Sequence, residues 1–146
     1  MKTTTYDAFN KITVLERERV ADFIFTHLEE YGDPISAIKK AIDYAVKDRP
    51  SLGGYVFIME EEDDKIIGAV VINKTGMDEY IPENILVYIA THKDHRRKGF
   101  GKKLMEYAID NCEGSIALHC EKDNPAKMLY EKLGFTNKYL EMRLEK

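Results

Sequence analysis

The sequence predicts an α/β fold built on a mixed sheet with helices on both faces, and three observations predict it. Four segments carry apolar residues at helical spacing, within 20–31, 35–46, 104–112 and 126–133. Two runs, Tyr55 to Met59 and Ile66 to Ile72, flank an acidic turn as the arms of a hairpin do. A third run, Ile85 to Ala90, is apolar on both faces, as in a central strand covered on two sides. Helices interleaved with strands in this way pack onto both faces of one sheet.

Taken in order, residues 4–13 give a weak first strand. Val20, Phe23, Ile24, His27, Leu28 and Tyr31 then form a helical stripe that Gly32 stops. Asp33-Pro34 offers an N-cap and an N1 proline to a second helix with Ile35, Ile38, Ile42, Ala45 and Val46 on one face, ended by Pro50 and Gly53-Gly54. The hairpin follows, with Glu60-Glu61-Glu62-Asp63-Asp64 as its solvated tip; that run lacks the spacing of a calcium loop. After the central strand, Leu104, Met105, Ala108, Ile109 and Cys112 make a buried helical stripe. Ile116, Leu118 and Cys120 alternate with Ala117, His119 and Glu121 as a further strand. Asn124-Pro125 starts a last helix with Ala126, Leu129, Tyr130 and Leu133 inward and Gly134 at its C′ stop. Tyr139 to Leu144 reads as a closing strand.

The chain has 146 residues, 44% hydrophobic and 33% charged, the size and composition of one soluble globular domain. Residues 1–10 have no apolar core of a secretory signal, and no segment reaches the roughly 18 apolar residues of a membrane span. Two cysteines, Cys112 and Cys120, are too few for a disulfide framework. Both sit in apolar patterns, so two buried thiols and a cytoplasmic location are expected.

The charge is unevenly spread. From His92 to Lys103 stand six Lys/Arg and one acid, a net +5, which leaves 16 basic and 25 acidic residues elsewhere, a net −9. One compact basic island on an acidic protein speaks against general nucleic-acid binding, which wants a basic face, and suits a small polyanion held at one point. That island contains Arg96-Arg97-Lys98-Gly99-Phe100-Gly101-Lys102-Lys103, between the central strand and a helix start. Glycines admit an anion to main-chain N–H groups, and the helix N-terminus adds its dipole. A Walker A loop needs a first glycine where Arg96 stands and Ser or Thr where Lys103 stands. A dinucleotide fingerprint needs glycine where Leu104 stands. Both templates fail, and with them a P-loop nucleotidase. No His/Cys pattern marks a metal site; His92, His95 and His119 lack ligand spacing.

The run Arg96-Arg97-Lys98-Gly99-Phe100-Gly101 does fit R-x-x-G-x-G directly after a central strand. Here the sequence resembles the GNAT superfamily of acyl-CoA-dependent N-acetyltransferases, whose pyrophosphate signature is [QR]-x-x-G-x-[GA]. Downstream, Asn124, Ala126 and Leu129-Tyr130-Glu131-Lys132-Leu133-Gly134-Phe135 resemble that family's second signature in residue type and distance. The resemblance covers about residues 55–140. It implies a GNAT-like sheet splayed at its middle strands, residues 1–146 as a single N-acetyltransferase domain, and acetyl-CoA as cosubstrate with no metal.

By that resemblance, Arg96, Arg97, Lys98, Gly99, Phe100, Gly101 and Lys102 (with Lys103 as an alternative cation) take the phosphates of CoA. Backbone near Ile89 and Thr91, on a bulged strand, takes the pantetheine arm, and Asn124 adds a contact to it beside its capping role. Tyr130 is the implied catalytic acid: a phenol of pKa about 10 stays protonated at neutral pH and can protonate a departing thiolate. No general base stands out, because Ile85 occupies the position of the family's strand glutamate. Glu83, Glu121, His92 and His119 are near strand ends, and His27 reads as core or cleft lining.

Transfer would be by direct attack in a ternary complex, since no cysteine is placed as an acyl carrier. The acceptor, a small-molecule or peptide amine, would lie between the helices of residues 14–48 and the splayed strands. The acidic balance favours a cationic one. With eleven residues after Phe135, the family's closing two-strand hairpin must be abbreviated, which leaves a homodimer open. The reading from another class is a non-catalytic acyl-CoA-binding sensor or interaction module of the same fold.

Overall fold

The computed structural model describes residues 1–146. Strands β1 (Lys2–Tyr6), β2 (Gly54–Glu60), β3 (Ile66–Lys74) and β4 (Asn84–Thr91) lie in that order, each antiparallel to the next. β5 (Ile116–Leu118) joins parallel to β4. Helices α1 (Val14–Leu28) and α2 (Ile35–Ala45) cover one face, and α3 (Phe100–Asp110) and α4 (Ala126–Lys132) cover the other. It is a mixed α/β fold with helices on both faces.

Strand alternation builds the two cores. Val56 and Ile58 of β2 join the α1/α2 cluster, while Phe57 and Met59 join the α3/α4 cluster. In β4 the alternation slips once. Leu86 belongs to the α3/α4 side, Val87 and Tyr88 both to the α1/α2 side, and Ile89 again to the α3/α4 side. The register shows the cause: Val71 pairs with Tyr88 and Ile72 with Leu86, so Val87 is the extra residue of a β-bulge. Gly54 serves close approach. A Cβ there would stand 2.0 Å from the Ile72 carbonyl oxygen.

Helix ends follow local chemistry. The Thr13 hydroxyl accepts the Glu16 N–H at 3.1 Å and caps α1. α4 closes in a Schellman turn: Gly134 takes φ 100°, its N–H bonds to the Glu131 carbonyl and the Phe135 N–H to the Tyr130 carbonyl. The Phe135 ring then meets Tyr130 at 5.9 Å between centroids.

Five expectations are corrected. The first strand is residues 2–6, because Asp7 instead folds back as a turn that accepts the Phe9 and Asn10 N–H groups. Asp33 does not cap α2; its carboxylate is taken by the Tyr88 hydroxyl at 2.6 Å. Glu60 is not part of a solvated tip but a buried end of β2, paired with Arg19 at 2.8 Å. Cys120 is exposed, since β5 stops at Leu118 and the alternation beyond it faces no core. Residues 139–144 form no strand, because no neighbouring edge pairs with them.

Candidate functional site

β4 and β5 part company where the bulge lies. They pair only at Asn84 with Ile116, Ile85 with Ala117 and Leu86 with Leu118, so β4 runs on from Val87 to Thr91 without a strand on that side. The sheet is splayed there, and the free edge of β4 carries Ile89 and Thr91. Ile89 is half-buried against the α3/α4 core, and Thr91 ends the strand.

The basic loop begins two residues later. Arg97 and Gly99 adopt positive φ, 63° and 83°, which turns the chain sharply into α3. The first bond of α3 is from the Lys103 N–H to the Gly99 carbonyl at 3.1 Å, and the N–H groups of Phe100, Gly101 and Lys102 have no acceptor in the protein. A Cβ built on Gly101 would stand 3.5 Å from both Thr91 Oγ1 and Leu129 Cδ2. The helix start, the end of β4 and α4 therefore meet at one glycine. Lys93, Arg97, Lys98, Lys102 and Lys103 make no ion pair, although acids outnumber bases in the chain. Unpaired donors, a missing side chain and unneutralised cations fit a phosphate group.

Arg96 is placed differently from the expectation. Its guanidinium donates to the His27 carbonyl at 2.6 Å and reaches Glu29 at 3.4 Å, so it ties the loop to the end of α1. His27 completes the tie: its Nδ1 accepts the Lys93 N–H at 3.2 Å. A run of ring contacts follows: His27 lies tilted against His92 at 4.2 Å, and edge-on contacts join His92 to His95 at 5.3 Å and His95 to Phe100 at 5.7 Å. Burial, and then the charges of His92, Arg96 and Lys93, push the His27 pKa down to about 4, which keeps it neutral and able to accept. Of these rings, His27 and His92 border an open cleft of about 380 Å³ on the α1 side, with Phe23, Thr26 and Lys65 in its wall. The glycine loop donors and Tyr130 lie on the other side of the sheet.

Tyr130 is 6% exposed, packed in the α3/α4 core by its helical position after Ala126 and Leu129. Its hydroxyl has no protein partner and is not sealed from solvent. Burial, and next Cys120, push its pKa up to about 12. Asn124 accepts the Ala126 N–H at 2.9 Å through Oδ1, which sets the start of α4 and leaves its amide nitrogen free.

The candidates for general base do not converge. His27 and His92 spend Nδ1 on backbone N–H groups, and Glu83 lies at the opposite end of β4 from Thr91, against Gly114. What sequence reasoning missed is the Asp33–Tyr88 pair beside the bulge. Its one signal was a tyrosine inside the apolar run of β4. In the connection between α1 and α2, burial and then the charges of Glu30, Asp123 and Glu121 raise the pKa of Tyr31.

Comparison with known proteins adds independent findings. A family model described as "Acetyltransferase (GNAT) domain" matches residues 53–137. A glucosamine 6-phosphate N-acetyltransferase of Arabidopsis thaliana is 31% identical over 91 residues, which cover 58% of this chain and 60% of the relative. The chain thus spans about 60% of the length of that curated relative. Among solved structures, a possible acetyltransferase from Clostridium difficile 630 superposes with TM-score 0.68 at 18% identity, over 100% of this chain and 98% of the other. An aminoglycoside N-acetyltransferase in complex with CoA gives TM-score 0.67 at 15% identity, over 99% and 95%. At such identities the likeness is one of fold.

Proposed function

The chain belongs to the GNAT acetyltransferase family, and on that premise we propose that residues 1–146 act as one domain moving an acetyl group from acetyl-CoA to an amine by direct attack in a ternary complex. The observation that carries this reading is the meeting of three elements at Gly101, with unbonded N–H groups on Phe100, Gly101 and Lys102 and unpaired cations around them.

In this proposal the loop donors and Arg97, Lys98 and Lys102 hold the diphosphate of the donor. Lys103 is the further cation, and Arg96 holds the loop itself in place. The free edge of β4 at Ile89 and Thr91 binds the amide-bearing arm as an added strand would, and Asn124 offers its amide from the start of α4. Acetyl-CoA supplies the acyl group as a thioester, whose sulfur departs with the bonding electron pair. A backbone N–H on the bulged stretch of β4 donates to the carbonyl oxygen as negative charge grows on it. The Tyr130 hydroxyl holds the proton needed by the leaving sulfur, and its raised pKa keeps that proton in place at neutral pH; the amine attacks in its neutral form and sheds its proton to water, from which the tyrosine is reprotonated.

Direct attack is favoured over an acyl-enzyme because neither thiol is set up as a nucleophile. Burial pushes Cys112 up to about 11, and Cys120 is exposed with no hydrogen-bonded base. The acceptor is proposed to enter beside the Asp33–Tyr88 pair, between the α1/α2 connection and the splay. Glu30, Asp33, Glu121 and Asp123 on this side support a cationic amine.

The test is release of free thiol from acetyl-CoA with a panel of amines, polyamines, amino acids, peptides and glucosamine 6-phosphate. The proposal expects release stimulated by at least one acceptor, with intersecting initial-rate patterns. CoA binding with no stimulation by any acceptor would instead support the non-catalytic module.

A further inference from the structure

Cys120 is exposed, whereas the other thiol of the chain, Cys112, is buried in the α3/α4 core. The topology puts the exposed one at the splay. Leu118, the last residue of β5 to pair, lies opposite Leu86, and the β4 bulge at Val87 follows Leu86 directly. Cys120 stands two residues beyond Leu118, a reach of at most about 7 Å along the chain. Because β5 pairs with β4 alone, no further strand covers this lip of the splay.

A second group faces the same gap. The Tyr130 side chain is 6% exposed, yet its hydroxyl bonds to no protein atom and still reaches solvent. Of all the ionisable groups, Cys120 alone acts on that hydroxyl electrostatically. A free thiol and an unpartnered buried hydroxyl thus meet beside the bulge, where the proposed donor site puts the sulfur of CoA.

Given a glycine loop that holds CoA, as proposed above, we propose that Cys120 is a thiol-exchange site at which coenzyme A disulfide leaves one CoA covalently bound. The nucleotide of that CoA lies in the loop and its sulfur is joined to Cys120 across the splay. The Cys120 thiolate attacks one sulfur of the disulfide. The Cys120–CoA bond forms as the S–S bond between the two CoA molecules breaks, and the second CoA leaves with that electron pair as a thiolate. It takes up the proton that Cys120 gave to water. Cys120 is oxidised, the departing CoA is reduced, and no further oxidant enters. Binding of the nucleotide makes the encounter intramolecular, which selects this disulfide over others that the loop does not hold. The adduct fills the donor site until a small thiol removes it.

The test is intact-mass spectrometry of the full chain and of Cys120→Ser, each incubated with CoA disulfide or with glutathione disulfide at equal concentration. Peptide mapping locates the adduct, and calorimetry measures CoA affinity on the reduced samples. A CoA adduct is expected on Cys120 and not on Cys112, formed at least about tenfold faster than the glutathione adduct. The nucleotide half of CoA, which has no sulfur, should slow it, and the adduct should no longer bind that half until dithiothreitol releases it. Cys120→Ser, a change at an exposed position, should bind CoA as tightly as the parent and form no adduct. If CoA binds but Cys120 stays unmodified, or glutathione disulfide reacts as fast, capture is refuted and the donor site stands. If CoA does not bind at all, the donor site itself is refuted and capture falls with it.

Discussion

Tyr130→Phe removes one oxygen from a side chain whose ring is fixed by the α3/α4 core and by Phe135 at 5.9 Å between centroids. Because that oxygen bonds to nothing in the protein, its loss strands no partner, and fold stability should change by less than about 1 kcal/mol. Catalysis is another matter. A positioned acid contributes roughly 10²–10⁴-fold, and a tenfold loss, about 1.4 kcal/mol, is the least the proposed role allows. Burial pushes the tyrosine above an ordinary phenol, to about 12. The same dry surroundings raise the thiolate in parallel, so donation to the leaving sulfur stays matched. With its pKa raised, the proton is retained up to about pH 12. The alkaline side of the rate profile should accordingly show no fall from this residue in the working range. The assay is thiol release under saturating acceptor, with CoA affinity and thermal midpoint measured on the same samples. An unchanged kcat removes Tyr130 from the mechanism, and a fall matched by equal loss of stability reduces it to a packing residue.

Gly101→Ala should fold normally, its Cβ meeting Thr91 and Leu129 at ordinary contact distance, whereas Gly101→Val should abolish CoA binding in calorimetry. Lys98→Glu with Lys102→Glu should weaken CoA at least tenfold and flatten the salt dependence of its affinity, read from titrations at several ionic strengths. Gly54→Ala should cost about 3 kcal/mol or more in urea unfolding, since its Cβ would press on the Ile72 carbonyl at 2.0 Å. The folded pKa of His27, about 4, lies below its ordinary 6.5, so the unfolded chain binds the extra proton between those values. Stability should thus fall as pH drops through that window. His27→Gln, which keeps an acceptor for the Lys93 N–H, should flatten the fall in unfolding midpoints against pH.

Most elements were legible because their burial is periodic. The stripe of Ile38, Ile42 and Ala45 is buried as read, and β2 and β3 flank the acidic turn as the alternation required. The glycine loop was legible because φ 83° at Gly99 favours glycine, and at Gly101 a Cβ alone would already touch Thr91 and Leu129 at 3.5 Å. What was not legible depends on long-range partners. Asp33 looks like a helix cap in sequence because a cap is local, but the Tyr88 hydroxyl, 55 residues away, takes the carboxylate. Arg96 looks like a phosphate ligand in sequence, and what sequence did not show is its tie to the end of α1 through the His27 carbonyl. Residues 139–144 have strand alternation and no strand, because alternation reports what a face is made of and not whether an edge is there to receive it.

The claim on which the rest depends is that the Arg96–Lys103 loop holds the acetyl donor by its backbone. Amide chemical shifts recorded while CoA is titrated test it most directly. The account predicts the largest changes at Phe100, Gly101 and Lys102, with Thr91 and Leu129 beside them, and none of these changes in Gly101→Val. CoA binding that leaves those three amides unmoved, or that persists in Gly101→Val, would contradict it.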